Sequence, residues 1–321
     1  MKKIGDLAQS KHFQLVELQP GIYAAICGQR GAGIGNAGLV DLGDRLLVFD
    51  TFMTPQAAAD LLAISLKLAG RQPDLVINSH YHNDHIWGNQ VFLPQALILS
   101  SADTYDLILS EGLEEFAWYG AQSAVRLADL QQQYDGTDDA AEKENLAPWL
   151  DYYGGLVEAF PKLRMCPPQL TFTDRLTIHG RSRRAELITF ENGHTGSDTI
   201  LYLPEDGDGQ GIIFAADLLF VQTHPFLVEA DPLQLMAILE EIEQMPFSAI
   251  VPGHGPLGTK EDIKQLIDYV QYCLETADRL IKEGRMDEEA VRGLSIPEAY
   301  AAWKIPHFFN LNISHLIKIR S

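Results

Sequence analysis

Cysteine, histidine, basic residues and long apolar runs are all scarce in this chain, and each shortage narrows what it can do. Only three of the 321 residues are cysteine, Cys27, Cys166 and Cys273. Their number is odd and their spacing matches no thiolate cluster, so neither a disulfide framework nor a cysteine metal site is expected. Each reads as a small buried hydrophobe. Lys and Arg total 24 against 44 Asp and Glu, a formal charge of -20. Such a field repels phosphate backbones and anionic membrane surfaces at long range, so nucleic acid and membranes are not expected partners. A small-molecule substrate is expected, because bound metal ions can dominate a local potential whatever the whole-chain charge. Oligomeric state is left open, a homo-oligomer included.

No segment reaches the ~20 apolar residues of a membrane-spanning helix. After Met1-Lys2-Lys3 the chain runs Ile4-Gly5-Asp6-Leu7-Ala8-Gln9-Ser10, without the apolar stretch of a signal peptide, and a cytoplasmic protein is expected. Neither an internal repeat nor a low-complexity linker is visible. With 46% hydrophobic residues the chain can bury a full core.

Short apolar runs separated by turn residues predict strands at Phe13 to Leu18, Gly21 to Cys27, Ala37 to Leu42 and Arg45 to Asp50. A helix is predicted from Pro55 to Ala69, followed by the strand Leu75 to Asn78. Residues from about 101 to 165 turn helical and aromatic, with the acidic tract Asp135 to Glu144 as an interruption, and read as an inserted helical segment. Strands return at Gln169 to Phe172, Leu176 to His179, Ala185 to Phe190, Thr199 to Leu203 and Gly211 to Ala216, with a turn at Asp206-Gly207-Asp208-Gly209. A helix near Pro232 to Gln244 and the strand Ala249 to Val251 complete a unit covering 1–260. Residues 261–321 read as a helical extension packed on that core, with apolar stripes at Leu266, Val270, Cys273, Leu274 and Ala277 and at Ile313, Leu316 and Ile317. The element order implies an α/β protein of the α+β kind, with two mostly antiparallel sheets packed together and helices outside.

The ten histidines are not scattered evenly. Ser79-His80-Tyr81-His82-Asn83-Asp84-His85 concentrates three of them after a predicted strand. In extended backbone His80 and His82 project to one face and can reach one metal, while Asp84 and His85 on the turn that follows can face a second. A chance occurrence of His-x-His-x-Asp-His at this histidine content is on the order of one in a million per position. Three more candidates sit at predicted strand ends: His194 in Gly193-His194-Thr195-Gly196-Ser197-Asp198, Asp217 after Ile212 to Ala216, and His254 in Pro252-Gly253-His254-Gly255-Pro256.

In motif order and spacing, roughly residues 15 to 260 resemble the metallo-β-lactamase superfamily. The resemblance implies a four-layer αββα sandwich carrying the helical insertion and C-terminal helices, with metals in a cleft at one edge of the two sheets. It implies that His80, His82 and His194 hold one metal, that Asp84, His85 and His254 hold the other, and that Asp217 bridges them. An aspartate at position 217, where the best-known true β-lactamases carry cysteine or no bridging ligand, is similar to the thioesterase and lactonase branches. Antibiotic hydrolysis is therefore not the first expectation. The helices after Gly258 do not show the basic glutathione-binding pattern of hydroxyacylglutathione hydrolases. Asp50, after Leu46-Leu47-Val48-Phe49, matches a family position from which a carboxylate can hydrogen-bond a ligand histidine.

Nitrogen and oxygen ligation suits zinc and tolerates iron or manganese, so two divalent ions, zinc first, are the expected cofactors. Two ions ~3.5–4 Å apart can hold a bridging hydroxide near neutral pH, and the expected reaction is its attack on the carbonyl of a small ester, lactone or thioester. Asp84 is the expected catalytic residue, orienting that nucleophile. His224, in Gln222-Thr223-His224-Pro225-Phe226, is a candidate proton donor bordering the cleft. Ser79, Thr195 and Ser197 are expected to make local turn bonds, and His12, His179, His307 and His315 to have ordinary roles. The aromatics Phe116, Trp118, Tyr119, Tyr134, Trp149, Tyr152 and Tyr153 supply either a pocket wall or plain helix packing. Three alternatives stay open: a mononuclear iron sulfur (persulfide) dioxygenase, a true β-lactamase, and a metal-binding protein without efficient catalysis.

Overall fold

Apolar strand faces pair two sheets front to front in the computed structural model, which describes residues 2–3, 10–28, 31–205 and 210–321. The run Ile4 to Gln9 and the turn expected at Asp206 to Gly209 lie outside the described residues. Among the described residues the first sheet has eight strands in sequence order. They are β1 (Lys2–Lys3), β2 (Phe13–Gln19), β3 (Ile22–Cys27), β4 (Ala37–Asp41), β5 (Leu46–Phe49), β6 (Leu75–Ile77), β7 (Leu97–Ser101) and β8 (Leu170–Phe172). The second sheet holds β9 (Arg175–His179), β10 (Arg184–Glu191), β11 (Ser197–Leu203), β12 (Gly211–Phe220) and β13 (Phe247–His254), in the order β13-β12-β11-β10-β9.

The expectation of two mostly antiparallel sheets holds for the second, while the first is mixed. β1 to β5 pair antiparallel, but β5 to β8 run parallel. Helical crossovers impose this, since parallel neighbours cannot be joined by a hairpin. α1 (Pro55–Ala69) joins β5 to β6, α2 (Asn83–Ile86) lies between β6 and β7, and α3 (Ala102–Leu109), α4 (Glu111–Gly136) and α5 (Ala140–Ala159) separate β7 from β8. In the second sheet only β12 and β13 pair parallel, across α6 (Pro232–Gln244). α7 (Lys260–Glu283), α8 (Glu288–Arg292) and α9 (His307–Arg320) follow.

Three apolar clusters define the four layers. Between the sheets, Val40, Leu47, Phe49 and Ile77 meet Leu187, Leu201, Phe214 and Val251. On the outer face of the first sheet, Leu39, Val48, Val76 and Ile98 meet Ala57, Ala58, Leu61 and Ile64 of α1. On the outer face of the second, Ile188, Ile200, Ile213 and Ile250 meet α6, α7 and α9 through Leu239, Leu266, Val270 and Ile313. Each aliphatic side chain so buried is worth ~1.5–3 kcal/mol relative to exposure, which is why the C-terminal helices hold to the sheet. Thr54 caps α1 by accepting from the Ala57 N–H, and a Thr259/Asp262 capping box starts α7, so both outer helices begin where their side chains dictate.

The acidic tract does break the helical insertion, between Gly136 and Ala140. The insertion docks through Trp87, whose ring centroid lies 5.3 Å from that of Phe116, 5.8 Å from Tyr119 and 5.6 Å from Phe160. Trp87 lies two residues after His85, so the insertion packs directly against the segment that carries the histidine cluster. Among the described residues no helix is long and apolar enough to cross a membrane.

Candidate metal centre

The centre is built at the sheet edge where β5, β6, β12 and β13 end. β6 stops at Ile77, and His82 keeps an extended backbone (φ -63°, ψ 150°) before α2 begins. Asp84 and His85 therefore stand on a short helix, where a turn was expected. His194 lies between β10 and β11, and His254 is the last residue of β13. Asp217 corrects the strand-end expectation, because β12 continues past it to Phe220. What aims it is a register shift between Phe214 and Ala216 together with a left-handed Ala216 (φ 46°). A bulge of this kind redirects the next side chain out of the ladder.

All seven predicted ligands come together, in two groups: His80, His82, His194 and Asp217, and Asp84, His85 and His254. In the first, His82 Nδ1 lies 3.1 Å from both His80 Nε2 and His194 Nε2. In the second, Asp84 Oδ2 lies 3.3 Å from His254 Nε2 and 3.6 Å from His85 Nε2. Asp217 stands between them, with Oδ2 3.4 Å from His194 Nε2 and 3.2 Å from His254 Nε2, and Oδ1 3.0 Å from His85 Nε2. Room for this is secured by Gly253, where a Cβ would fall 1.8 Å from Asp217 Oδ1.

Electrostatics separate the ligands. Burial and the neighbouring His85 hold His80 well below the ordinary imidazole value, and burial lowers His194 to about 3, so both present lone pairs. Burial would lower His85 and His254 too, but the Asp217 carboxylate raises both. Burial would raise Asp217, and these two imidazoles instead hold it well below the carboxylate range. His85 Nε2 and Asp217 Oδ1 are buried without a hydrogen-bond partner although they face each other. Converging lone pairs and carboxylate oxygens with unmet valence fit divalent cations, and the all-nitrogen-and-oxygen donor set suits zinc, iron or manganese.

Behind the ligands lie groups that fix them. Asp50 Oδ2 is 2.8 Å from His85 Nδ1 and accepts from Ser79 Oγ at 2.7 Å, while Oδ1 accepts the Ser79 N–H at 2.8 Å. Ser79 thus does more than bond within its turn. Asp198 accepts from the His194 N–H, the Thr195 N–H and the Thr195 hydroxyl, clasping the His194 loop. Ser197 bonds to Ser101, as a structural residue would. Asn36 donates to the Pro252 and Gly255 carbonyls and so ties the His254 loop to the first sheet.

His224 does not join the centre. It is fully buried, its Nδ1 2.9 Å from the Tyr269 hydroxyl and its ring packed by Trp303 and Phe309. Lying near Asp217 in sequence placed it on the wrong side of the strand end, since the C-terminal helices claim that face. The sequence reading also missed Glu229, whose Oε2 lies 3.1 Å from His82 Nε2 and accepts from the Tyr81 hydroxyl. It missed Glu115 of α4 as well, which accepts from Asn83 Nδ2 at 2.9 Å beside Tyr152 and which burial raises to about 8. Neither belongs to a motif, and both are brought in from distant segments. Of the aromatics, Trp118, Trp149 and Tyr153 line a cavity of about 350 Å³ with Arg126 and His307, whereas Phe116 and Tyr119 pack on Trp87.

Comparison with known proteins bears on the family and the fold. A curated hydroxyacylglutathione hydrolase from Synechococcus sp. is 23% identical over 195 residues, which is 59% of this chain and 53% of that protein. The chain thus spans about half the length of this relative. Among solved structures, a metallo-β-lactamase from Pontibacter korlensis superposes with a TM-score of 0.57 at 15% identity, covering 81% of this chain and 99% of that one. The sec-alkylsulfatase Pisa1 from Pseudomonas sp. gives 0.66 at 14%, covering 96% and 50%. These likenesses concern the fold. The family model of the metallo-beta-lactamase superfamily matches residues 30–254, which hold every ligand described above, and the chain belongs to that superfamily.

Proposed function

We propose that this protein is a dinuclear metal-dependent hydrolase acting on the carbonyl of a small ester, lactone or thioester, with zinc as metal and the cytoplasm as compartment. One observation carries the reading: a single carboxylate, Asp217, lies within 3.4 Å of a ligand atom of both groups. The hydrolase relative supports the reaction class. When bound, two such cations supply a water acidic enough to be hydroxide near pH 7 and a Lewis acid for the carbonyl oxygen.

The chain's own residues do the remaining work. His80, His82 and His194 would hold one cation, Asp84, His85 and His254 the other, and Asp217 both. Asp84, less enclosed than Asp217, accepts a hydrogen bond from the nucleophile and fixes its direction. Glu229, held ionised by its bonds from His82 and Tyr81, puts negative charge beside the His82 side of the cleft, which favours an uncharged or cationic substrate over an anionic one such as a glutathione thioester. Tyr152, whose hydroxyl accepts from Asn83 Nδ2 and whose ring packs on Trp149, links the metal loop to the cleft lined by Trp118, Trp149 and Tyr153, which we assign to an apolar or aromatic substrate group.

The test is metal content per chain with turnover on a panel of lactones, thioesters, esters and β-lactams. About two metals per chain and hydrolysis of at least one carbonyl class are expected. A single iron that resists a second metal would shift the case to sulfur oxidation, nitrocefin turnover alone would favour a β-lactamase, and no retained metal would end the proposal.

A further inference from the structure

His82 is the one histidine of the first group that turns Nδ1 toward the others, with its Nε2 turned outward. His80 and His194 direct Nε2 at the cluster. An imidazole held only by the metal could rotate or carry its proton on either nitrogen, so the outward nitrogen needs a fixed acceptor. Glu229 is that acceptor. Its Oε2 stands 3.1 Å from His82 Nε2 and also accepts from the Tyr81 hydroxyl, so both hydrogen-bond donors meet on one oxygen.

The loop that carries Glu229 is itself held from the C-terminal region. Asn312 of α9 uses both ends of its amide on it, accepting from the Leu227 N–H at 3.0 Å and donating to the Pro225 carbonyl at 2.8 Å. Nearby, the His224 N–H donates to the Lys304 carbonyl and the Lys304 N–H to the Gln222 carbonyl. Phe226, on the same loop, closes on the His82 ring edge-on at 6.3 Å. Glu229 is 39% exposed at its side chain, so its place is not dictated by core packing. The loop delivers it.

We propose that Glu229 is a positioning residue for the metal centre: clamped by Tyr81 and by the Asn312-pinned loop, it fixes the proton of His82 on Nε2 and directs Nδ1 at the metal. Asn312 of α9, by pinning that loop, thereby contributes to the metal affinity of the first ligand group. This rests on the metal-centre reading above, and the experiment separates the two.

Zinc affinity of the full chain is measured by chelator competition for the wild type, Glu229→Ala, Glu229→Gln and Tyr81→Phe, each checked for folding by thermal melting. Loss of a carboxylate behind a ligand histidine typically weakens metal binding ~10–100-fold, the range expected for Glu229→Ala at one of two sites. Glu229→Gln keeps an acceptor oxygen and is expected to weaken binding less, with Tyr81→Phe no worse than Glu229→Gln. In the zinc-loaded wild type, nitrogen-15 NMR of the imidazoles should show a protected His82 Nε2–H that is lost in Glu229→Ala. If that variant does not fold, Glu229→Leu, which fills similar space without any acceptor, decides by the same two readouts. Zinc affinity within twofold of wild type and an unchanged Nε2–H signal overturn the positioning role. A wild type that binds no zinc overturns the metal centre itself.

Discussion

Asp50→Asn removes one charge from the most enclosed contact in the centre without changing its shape. Asp50 is 0% exposed and receives three bonds, from the Ser79 N–H, from Ser79 Oγ and from His85 Nδ1. An ionised carboxylate only accepts, whereas an amide offers one oxygen and an NH₂ group. One of the three contacts must then set donor against donor unless His85 moves its proton to Nε2, the atom facing Asp217 at 3.0 Å and needed by the cation. The left-handed backbone at Asp50 (φ 59°) suits asparagine, so backbone strain is not the cause of any effect. Losing a charge-assisted hydrogen bond costs ~1.5–3 kcal/mol, roughly ten- to a hundredfold in affinity. The assay is chelator competition with zinc, read at both sites. The site of Asp84, His85 and His254 should weaken by that factor while the other changes little, the reverse of the Glu229 variants. Equal affinity at both sites, within twofold of wild type, would refute the reasoning.

Other perturbations probe other parts. In Gly253→Ala the new methyl would meet Asp217 Oδ1 at 1.8 Å and Ala216 C at 2.7 Å. Overpacking of ~1–3 kcal/mol and metal content below two per chain are expected, and full zinc content with an unchanged melting temperature would contradict this. His224 is held neutral by burial, with its value lowered from 6.5 to about 4. Its folded value lies below its unfolded one, so its stabilising effect is complete above pH 6.5 and fades as the pH falls toward 4, by at most ~3 kcal/mol. His224→Phe should flatten the melting-temperature curve across that window, and a parallel curve would show that another group titrates. Trp149→Ala opens the insertion's cavity and should raise KM about tenfold for substrates with large apolar groups while leaving kcat and small substrates alone. An unchanged substrate preference would remove the cavity from substrate binding. Asp84→Ala, where metal content stays normal, should sharply lower turnover of any panel substrate, and unchanged turnover would remove its role in orienting the nucleophile.

How much could be read in advance depended on whether an interaction is local. His80, His82, Asp84 and His85 lie within six consecutive positions, and the helix from Pro55 to Ala69 and the apolar stripe of α7 show in the local pattern, so these needed no tertiary information. The sequence by itself therefore determined the candidate ligand cluster, the apolar faces of the sheets and the break in the helical insertion. Tertiary structure decided the rest. Parallel pairing of β5 to β8 follows from how the crossover helices pack. The aim of Asp217 depends on a bulge against β13, and the burial of His224 on helices that follow it by some 40 residues or more. Glu229 meets His82 across 147 positions. Side chains that bind a cation are constrained by their own chemistry and leave a local pattern. The carboxylates that hold those side chains in place can come from anywhere in the chain, and only folding brings them there.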